Sequence, residues 1–87
     1  MHKWPIGTKL ISKNAMNIIE IIGYNYTTDS LTQRLVCSYK VKILMSKSGY
    51  TMGELTKFSQ GYIEGKHEGD NINYWHELTA LEGLLYG

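Results

Sequence analysis

The stretch Arg34–Ser46 limits what this chain can fold into more than any other part of it. Leu35, Cys37, Tyr39, Val41, Ile43 and Met45 alternate with Val36, Ser38, Lys40, Lys42, Leu44 and Ser46. Side chains of a strand point alternately to opposite faces, so a period of two with one apolar side marks a long half-buried strand. A strand must pair, and Asn17–Tyr26 (NIIEIIGYNY) supplies a β-branched and aromatic partner with Glu20 on one face. Gly23 within it predicts a bulge or a sharp bend. A shorter strand is expected over Thr8–Ser12, after a turn at Pro5–Gly7. Lys13-Asn14-Ala15 is a tight link, Thr27–Gln33 a polar loop, and Ser46–Gly49 a hairpin turn.

The segment from Tyr50 to Gly65 carries two signals. Thr51 with Glu54 fits a capping box, with Met52, Leu55, Ser59, Tyr62 and Ile63 on one helical face. Tyr50, Met52 and Glu54 also alternate after a hairpin turn, which favours a strand over Tyr50–Phe58 and then one helical turn from Ser59 to Glu64. Ile72–Leu78 reads as a closing strand, preceded by a charged, glycine-containing loop from Lys66 to Asn71. Thr79-Ala80-Leu81-Glu82 is a second capping-box pattern and opens a short helix, Ala80–Leu85, in a C-terminal extension of about residues 79–87.

Together these elements predict an all-β or β-rich α+β domain spanning residues 1–87. The expected architecture is a small, closed or half-closed five-stranded antiparallel barrel with one or two short helices. An α+β fold with three or four strands and a helix at Thr51–Ile63 is the alternative. At 87 residues there is room for one domain and one small core. A charged fraction of 20% and an aromatic fraction of 11% exclude a disordered chain. The single cysteine, Cys37, excludes an intramolecular disulfide and a cysteine-based zinc knuckle. There is neither an apolar run of membrane-spanning length nor the apolar stretch of a signal peptide, which gives the expectation of a cytoplasmic protein.

Ile6-Gly7-Thr8, the strand ending Glu20-Ile21-Ile22-Gly23-Tyr24, and Phe58-Ser59-Gln60-Gly61-Tyr62-Ile63-Glu64 carry a resemblance. From Trp4 to about Leu78 the chain resembles small SH3-like barrel proteins encoded by phages and other mobile elements. The matched residues are turn glycines and core apolar positions. The resemblance implies a non-enzymatic binding domain, in its most concrete form an inhibitor of a host or defence protein in the host cytoplasm.

No catalytic or metal signature stands out. His67-Glu68 and His76-Glu77, with Asp70, offer metal-ligating side chains. Adjacent residues on a strand point to opposite faces, however, so each pair yields one ligand. The expectation is no metal and no cofactor. Cys37 lies on the apolar face of the best strand, where a thiol acts as a small hydrophobe. No Gly-x-Ser-x-Gly or phosphate-loop pattern occurs.

Charge is unevenly distributed although the net value is only +1. Lys3, Lys9, Lys13, Arg34, Lys40, Lys42 and Lys47 are opposed only by Glu20 and Asp29 in the first part of the chain. Glu54, Glu64, Glu68, Asp70, Glu77 and Glu82 dominate the rest. This gives two readings of function. In the first, aromatic residues flanked by carboxylates, namely Tyr62, Glu64, Glu68, Asp70, Tyr74, Trp75 and Glu77, dock into a partner protein. In the second, Lys9, Lys13, Lys40 and Lys42 hold nucleic-acid phosphates while Tyr24 and Tyr26 stack bases. One arginine and the small net charge weigh against the second. Trp4 and Trp75 are either plugs of the barrel ends or interface residues. Leu84-Leu85-Tyr86 is either a lid on the barrel or an anchor, including for a second copy of the chain.

Overall fold

The computed structural model describes residues 2–65 and 74–86. Its centre is a five-stranded antiparallel sheet built from β1 (Lys9–Ser12), β2 (Asn17–Thr28), β3 (Leu35–Ser46), β4 (Leu55–Ser59) and β5 (Trp75–Glu77), in the order β4-β3-β2-β1-β5. Two short helices, α1 (Gln60–Glu64) and α2 (Ala80–Tyr86), follow β4 and β5. Among the described residues β4 and β5 do not pair with each other, so the ladder is open rather than a closed barrel. Aromatic rings lie between the two edge strands. Phe58 of β4 and Trp75 of β5 have ring centroids 6.2 Å apart, and Tyr62 of α1 lies 5.5 Å from Phe58 and 6.0 Å from Trp75.

The alternation in β3 sets the core. Tyr39, Val41 and Ile43 are fully buried against Ile19 and Ile21 of β2 and Leu10 of β1, with Ile63 of α1 and Trp75 completing the cluster. The register Ile19↔Ile43, Ile21↔Val41 and Tyr24↔Tyr39 puts these side chains on one face. Glu20↔Lys42 and Gly23↔Lys40 lie on the other. The bulge foreseen at Gly23 falls between Ile21 and Gly23, and a second register shift falls between Ile18 and Ile19. Bulges sharpen strand twist, which suits a sheet that must curl around so few residues.

Three expectations are corrected. Leu35 shares the core-facing parity but is 64% exposed, and Cys37 is only half-buried. The reason is length: β2 and β3 are 12 residues each, and their far ends run past the core in a protruding hairpin, in a body measuring 44 × 25 × 24 Å. Tyr50–Phe58 is not one strand, because β4 begins at Leu55 and residues 52–53 form a turn. The alternative helix over Thr51–Ile63 is not formed either; the helical part is the single turn of α1, capped by Ser59, whose side chain accepts from Tyr62 N. The closing strand is described only over Trp75–Glu77.

The N-terminal residues strap the core-facing side of β2 and β3. The His2 ring stacks on Tyr24 at 4.2 Å between centroids. Its Nε2 lies 3.0 Å from the Ser38 carbonyl oxygen and its Nδ1 3.0 Å from the Tyr26 hydroxyl. Trp4 N donates to Tyr39 OH (3.0 Å), and Tyr24 OH donates to the Trp4 carbonyl (2.7 Å). Tyr39 OH in turn donates to Glu64 Oε2, which also accepts from Lys3 N (2.8 Å) and Gln60 Nε2 (3.2 Å). Burial, and then the hydrogen bond to Glu64 and its charge, push the Tyr39 phenol above its ordinary range.

Candidate binding cleft

The β1–β2 turn is held by side chains rather than by length. Ser12, at the end of β1 and 1% exposed, donates from Oγ to Asn14 Oδ1 (2.6 Å) and accepts from Asn17 N (3.1 Å). Asn14 Oδ1 also accepts from Met16 N (3.1 Å), a local bond that lets a short polar side chain replace a backbone partner. Ala15 takes a left-handed conformation with φ of 59°, and its N–H closes the turn onto the Ser12 carbonyl (2.8 Å). The loop after β3 is tied to the same place. Ser46 Oγ (2.7 Å) and Ser48 Oγ (2.8 Å) both donate to Asn17 Oδ1.

These two loops and the aromatic residues between β4 and β5 enclose a cleft of about 430 Å³ lined by Tyr50, Tyr62 and Tyr74 together with Asn14, Asn17, Ser48 and Gly49. The rings support one another: Tyr62 and Tyr74 lie 6.2 Å apart and tilted by 35°, and Tyr50 meets Phe58 edge-on at 5.8 Å. Tyr50 and Tyr62 remain 42% and 40% exposed. Burial, with the neighbouring phenols of Tyr74 and Tyr50, holds the Tyr62 hydroxyl above its ordinary pKa, so it stays a neutral donor. Among the described residues the lining offers hydroxyls, amides and ring faces, and no formally charged side chain. Such a site can grip a neutral polar group by hydrogen bonds while burying apolar surface against the rings.

The sequence-derived site residues divide accordingly. Tyr62 and Tyr74 lie in the cleft, whereas Trp75 is a core residue, 5% exposed, behind them. Glu64 is turned toward Tyr39 and the N-terminal strap, where it is a structural acceptor instead of a steering carboxylate. Glu77 is exposed on β5, and Glu68 and Asp70 lie outside the described residues. Lys9, Lys40 and Lys42 do share the outer face of the sheet, joined by Lys57, which pairs directly with Lys40 across β3 and β4. Tyr24 and Tyr26 are on the opposite face, so the expected lysine patch with flanking tyrosines is not formed; the alternating parity of β2 separates them. Lys13 is exposed in the β1–β2 turn.

His76 bonds Glu82 of α2 (2.9 Å), and among the described residues no group of three His, Cys, Asp or Glu side chains could hold a metal ion; His67 lies outside them. No helix of the described residues is long and apolar enough to cross a membrane. Trp4 is partly buried against the core. Leu84 and Leu85 are 86% and 65% exposed, so they do not form a lid over the sheet, and the Tyr86 side chain lies outside the described part. The sequence reading left Asn17 and Ser48 out of the site. The available signal was a polar residue opening an otherwise apolar strand, Asn17 ahead of Ile18-Ile19. No family model, curated protein or solved structure matches the chain.

Proposed function

We propose that this protein is a non-enzymatic protein-binding module and that the tyrosine cleft is its recognition surface. The observation that carries the reading is the make-up of the cleft, which among the described residues is tyrosine, asparagine, serine and glycine. That is the composition on which antibody paratopes converge. Tyrosine gives large contact area at low rotamer cost, and the small polar residues give adaptable hydrogen bonds. Half-exposed Tyr50 and Tyr62, anchored at the rear by Phe58 and Trp75, supply rigid rings of that kind.

The finer fold reading, an SH3-like barrel left unclosed between β4 and β5, is in keeping with five antiparallel strands and the one-turn helix after β4. The phage or mobile-element inhibitor is one concrete form of this function and is supported by the sequence resemblance. The test is affinity capture from host lysate treated with nuclease, using the wild type and a Tyr50→Ser/Tyr62→Ser variant. A protein retained by the first and lost by the second supports the reading. A protein retained equally by both refutes it for this cleft.

One observation favours a second reading. Lys40 and Lys57 stand directly opposite each other, with Lys42 and Lys9 on the same face and Glu20 between those two in the register. Like charges placed opposite each other destabilise a sheet, which an anionic ligand such as a nucleic-acid backbone would relieve.

A further inference from the structure

We infer that two copies of this chain pair edge to edge through β2, with Tyr26 of each at a two-fold axis and Asp29 of each set against Lys40 of the other. This surface lies at the far end of β2 from the tyrosine cleft and does not depend on what the cleft binds. The hairpin formed by the ends of β2 and β3 has its hydrogen bonds in a fixed phase. Asp29 N donates across it to the Arg34 carbonyl (2.8 Å). Main-chain groups of an antiparallel strand turn to one side and the other at alternate residues. Thr27, Asn25 and Gly23 therefore face β3, opposite Val36, Ser38 and Lys40. Tyr24, Tyr26 and Thr28 turn their N–H and C=O groups outward. β1 and the turn before it reach along β2 only to Ile21, which bonds Thr8 and Gly7. Beyond it, the outward groups of Tyr24, Tyr26 and Thr28 meet no partner among the described residues.

An open edge selects an extended main chain, since that alone returns donors and acceptors at the same alternating spacing. Natural edges are commonly guarded by lysine or proline. Tyr24-Asn25-Tyr26-Thr27-Thr28 has neither and carries no charge, and tyrosine and threonine favour strands.

What identifies the second strand is the fit of this edge to itself. With Tyr26 opposite Tyr26, Tyr24 meets Thr28 of the second copy, and every outward N–H and C=O finds a partner. The same register sets Asp29 of one copy opposite Gly23 of the other, on the outer face. The Lys40 stem lies across Gly23, where an added Cβ would stand 3.5 Å from Lys40 Cδ. Among the described residues Lys40 has no carboxylate partner, and Lys57 stands directly opposite it. Asp29 bonds Leu31 N through one carboxylate oxygen (2.9 Å), which leaves the other for Lys40 of the second copy. Past Asp29, the turn carrying Leu31, 94% exposed, comes beside the Pro5–Gly7 turn of the other copy carrying Ile6, 60% exposed. Hydrogen bonds, charges and apolar ends thus match about one axis. A strip one strand wide falls short of the roughly 800 Å² per partner of a standard interface, so the dimer is reversible, with a micromolar Kd.

Sedimentation equilibrium of the full chain, free of nucleic acid, should show a rise from monomer to dimer mass between about 10 μM and 1 mM, weaker in high salt. Thr28→Pro deletes an outward N–H without touching the bonds to β3. It should weaken the dimer at least about tenfold and leave Tm nearly unchanged. Asp29→Asn, which keeps the bond to Leu31 N, and Lys40→Gln should each weaken it about two- to fivefold, and the double variant no more than either alone. To fix the register, Cys37→Ser chains carrying Tyr26→Cys or Thr28→Cys are mildly oxidised. Facing Cα atoms of a hydrogen-bonded pair lie about 5.5 Å apart, within disulfide reach. Tyr26→Cys should therefore give a cross-linked dimer, and Thr28→Cys, which faces Tyr24, should not. A chain that stays monomeric at about 1 mM in low salt overturns the inference. So does a dimer unaffected by Thr28→Pro, or one cross-linked as readily through Thr28→Cys as through Tyr26→Cys.

Discussion

Tyr39→Phe is the sharpest probe of how this small core is held. The Tyr39 side chain is fully buried, and its hydroxyl both donates to Glu64 and accepts from Trp4 N. Removing the oxygen leaves ring packing intact but orphans the Trp4 N–H, and Glu64 keeps Lys3 N and Gln60 as donors. An unsatisfied buried donor costs about 1–3 kcal/mol, and a hydrogen bond to a charged group contributes about 1.5–3 kcal/mol. With Glu64 still partly served, a loss of about 2–3 kcal/mol follows. In a domain of this size that lowers Tm by roughly 10–20 °C. Tyr24→Phe is the control, since it removes one bond to the Trp4 carbonyl and should cost about 1 kcal/mol.

Urea and thermal unfolding at neutral pH measure both variants. A Tyr39→Phe loss below about 0.5 kcal/mol, or one no larger than that of Tyr24→Phe, would refute the network as described. The same phenol gives a pH signature. Its pKa is raised in the fold, so the unfolded chain releases this proton first as pH rises. Its contribution is complete below the ordinary phenol pKa of about 10 and is lost as pH climbs above it. Wild type should destabilise over that alkaline range more steeply than Tyr39→Phe, with one tyrosine absorbing as phenolate only on unfolding.

Two further outcomes follow from the surface. If the outer lysines hold nucleic acid, Lys40→Glu/Lys42→Glu abolishes a salt-dependent gel retardation of DNA or RNA; wild type showing no retardation at low salt ends that reading. Glu82, whose carboxyl is held below its ordinary pKa first by the His76 hydrogen bond and then by Thr79, caps α2 above the carboxylate range and releases it as pH falls. Amide exchange of the wild type should show α2 fraying as pH falls, and Glu82→Gln should remove that pH dependence, whereas an unchanged profile would show that another group controls the helix.

What the sequence disclosed, and what it hid, follows from how local each signal was. The period-two run gave β3 its full extent, because parity needs no knowledge of the rest of the fold. It misplaced Leu35, because parity says which face a residue takes but not where the core ends. Openness of the sheet was equally out of reach, since it depends on whether β4 and β5 meet, and rings rather than a ladder lie between them. The cleft escaped for a related reason: Asn17, Ser48, Tyr62 and Tyr74 come from four separate segments, and none carries a motif alone.

The two capping-box patterns show the limit most directly. Thr79-Ala80-Leu81-Glu82 forms the reciprocal box, with Thr79 N donating to Glu82 Oε1 (3.1 Å) and Glu82 N to Thr79 Oγ1 (3.1 Å), and a helix follows. Thr51-Met52-Gly53-Glu54 has the same end residues, and Thr51 N likewise donates to Glu54 Oε1 (3.2 Å). No helix follows, because Gly53 adopts a φ of 84°, which an α-helix does not admit and glycine reaches freely. Gly53 N then bonds the Ile43 carbonyl (2.7 Å) and Ile43 N the Glu54 carbonyl (2.9 Å), so the chain joins β3 two residues before β4 begins. Gly53 within Thr51–Glu54 was visible in the sequence and is the residue that decides between helix start and turn. By ending the helical option there, it delays the helix to Ser59, and α1 then places Tyr62 against Tyr74 at the mouth of the cleft.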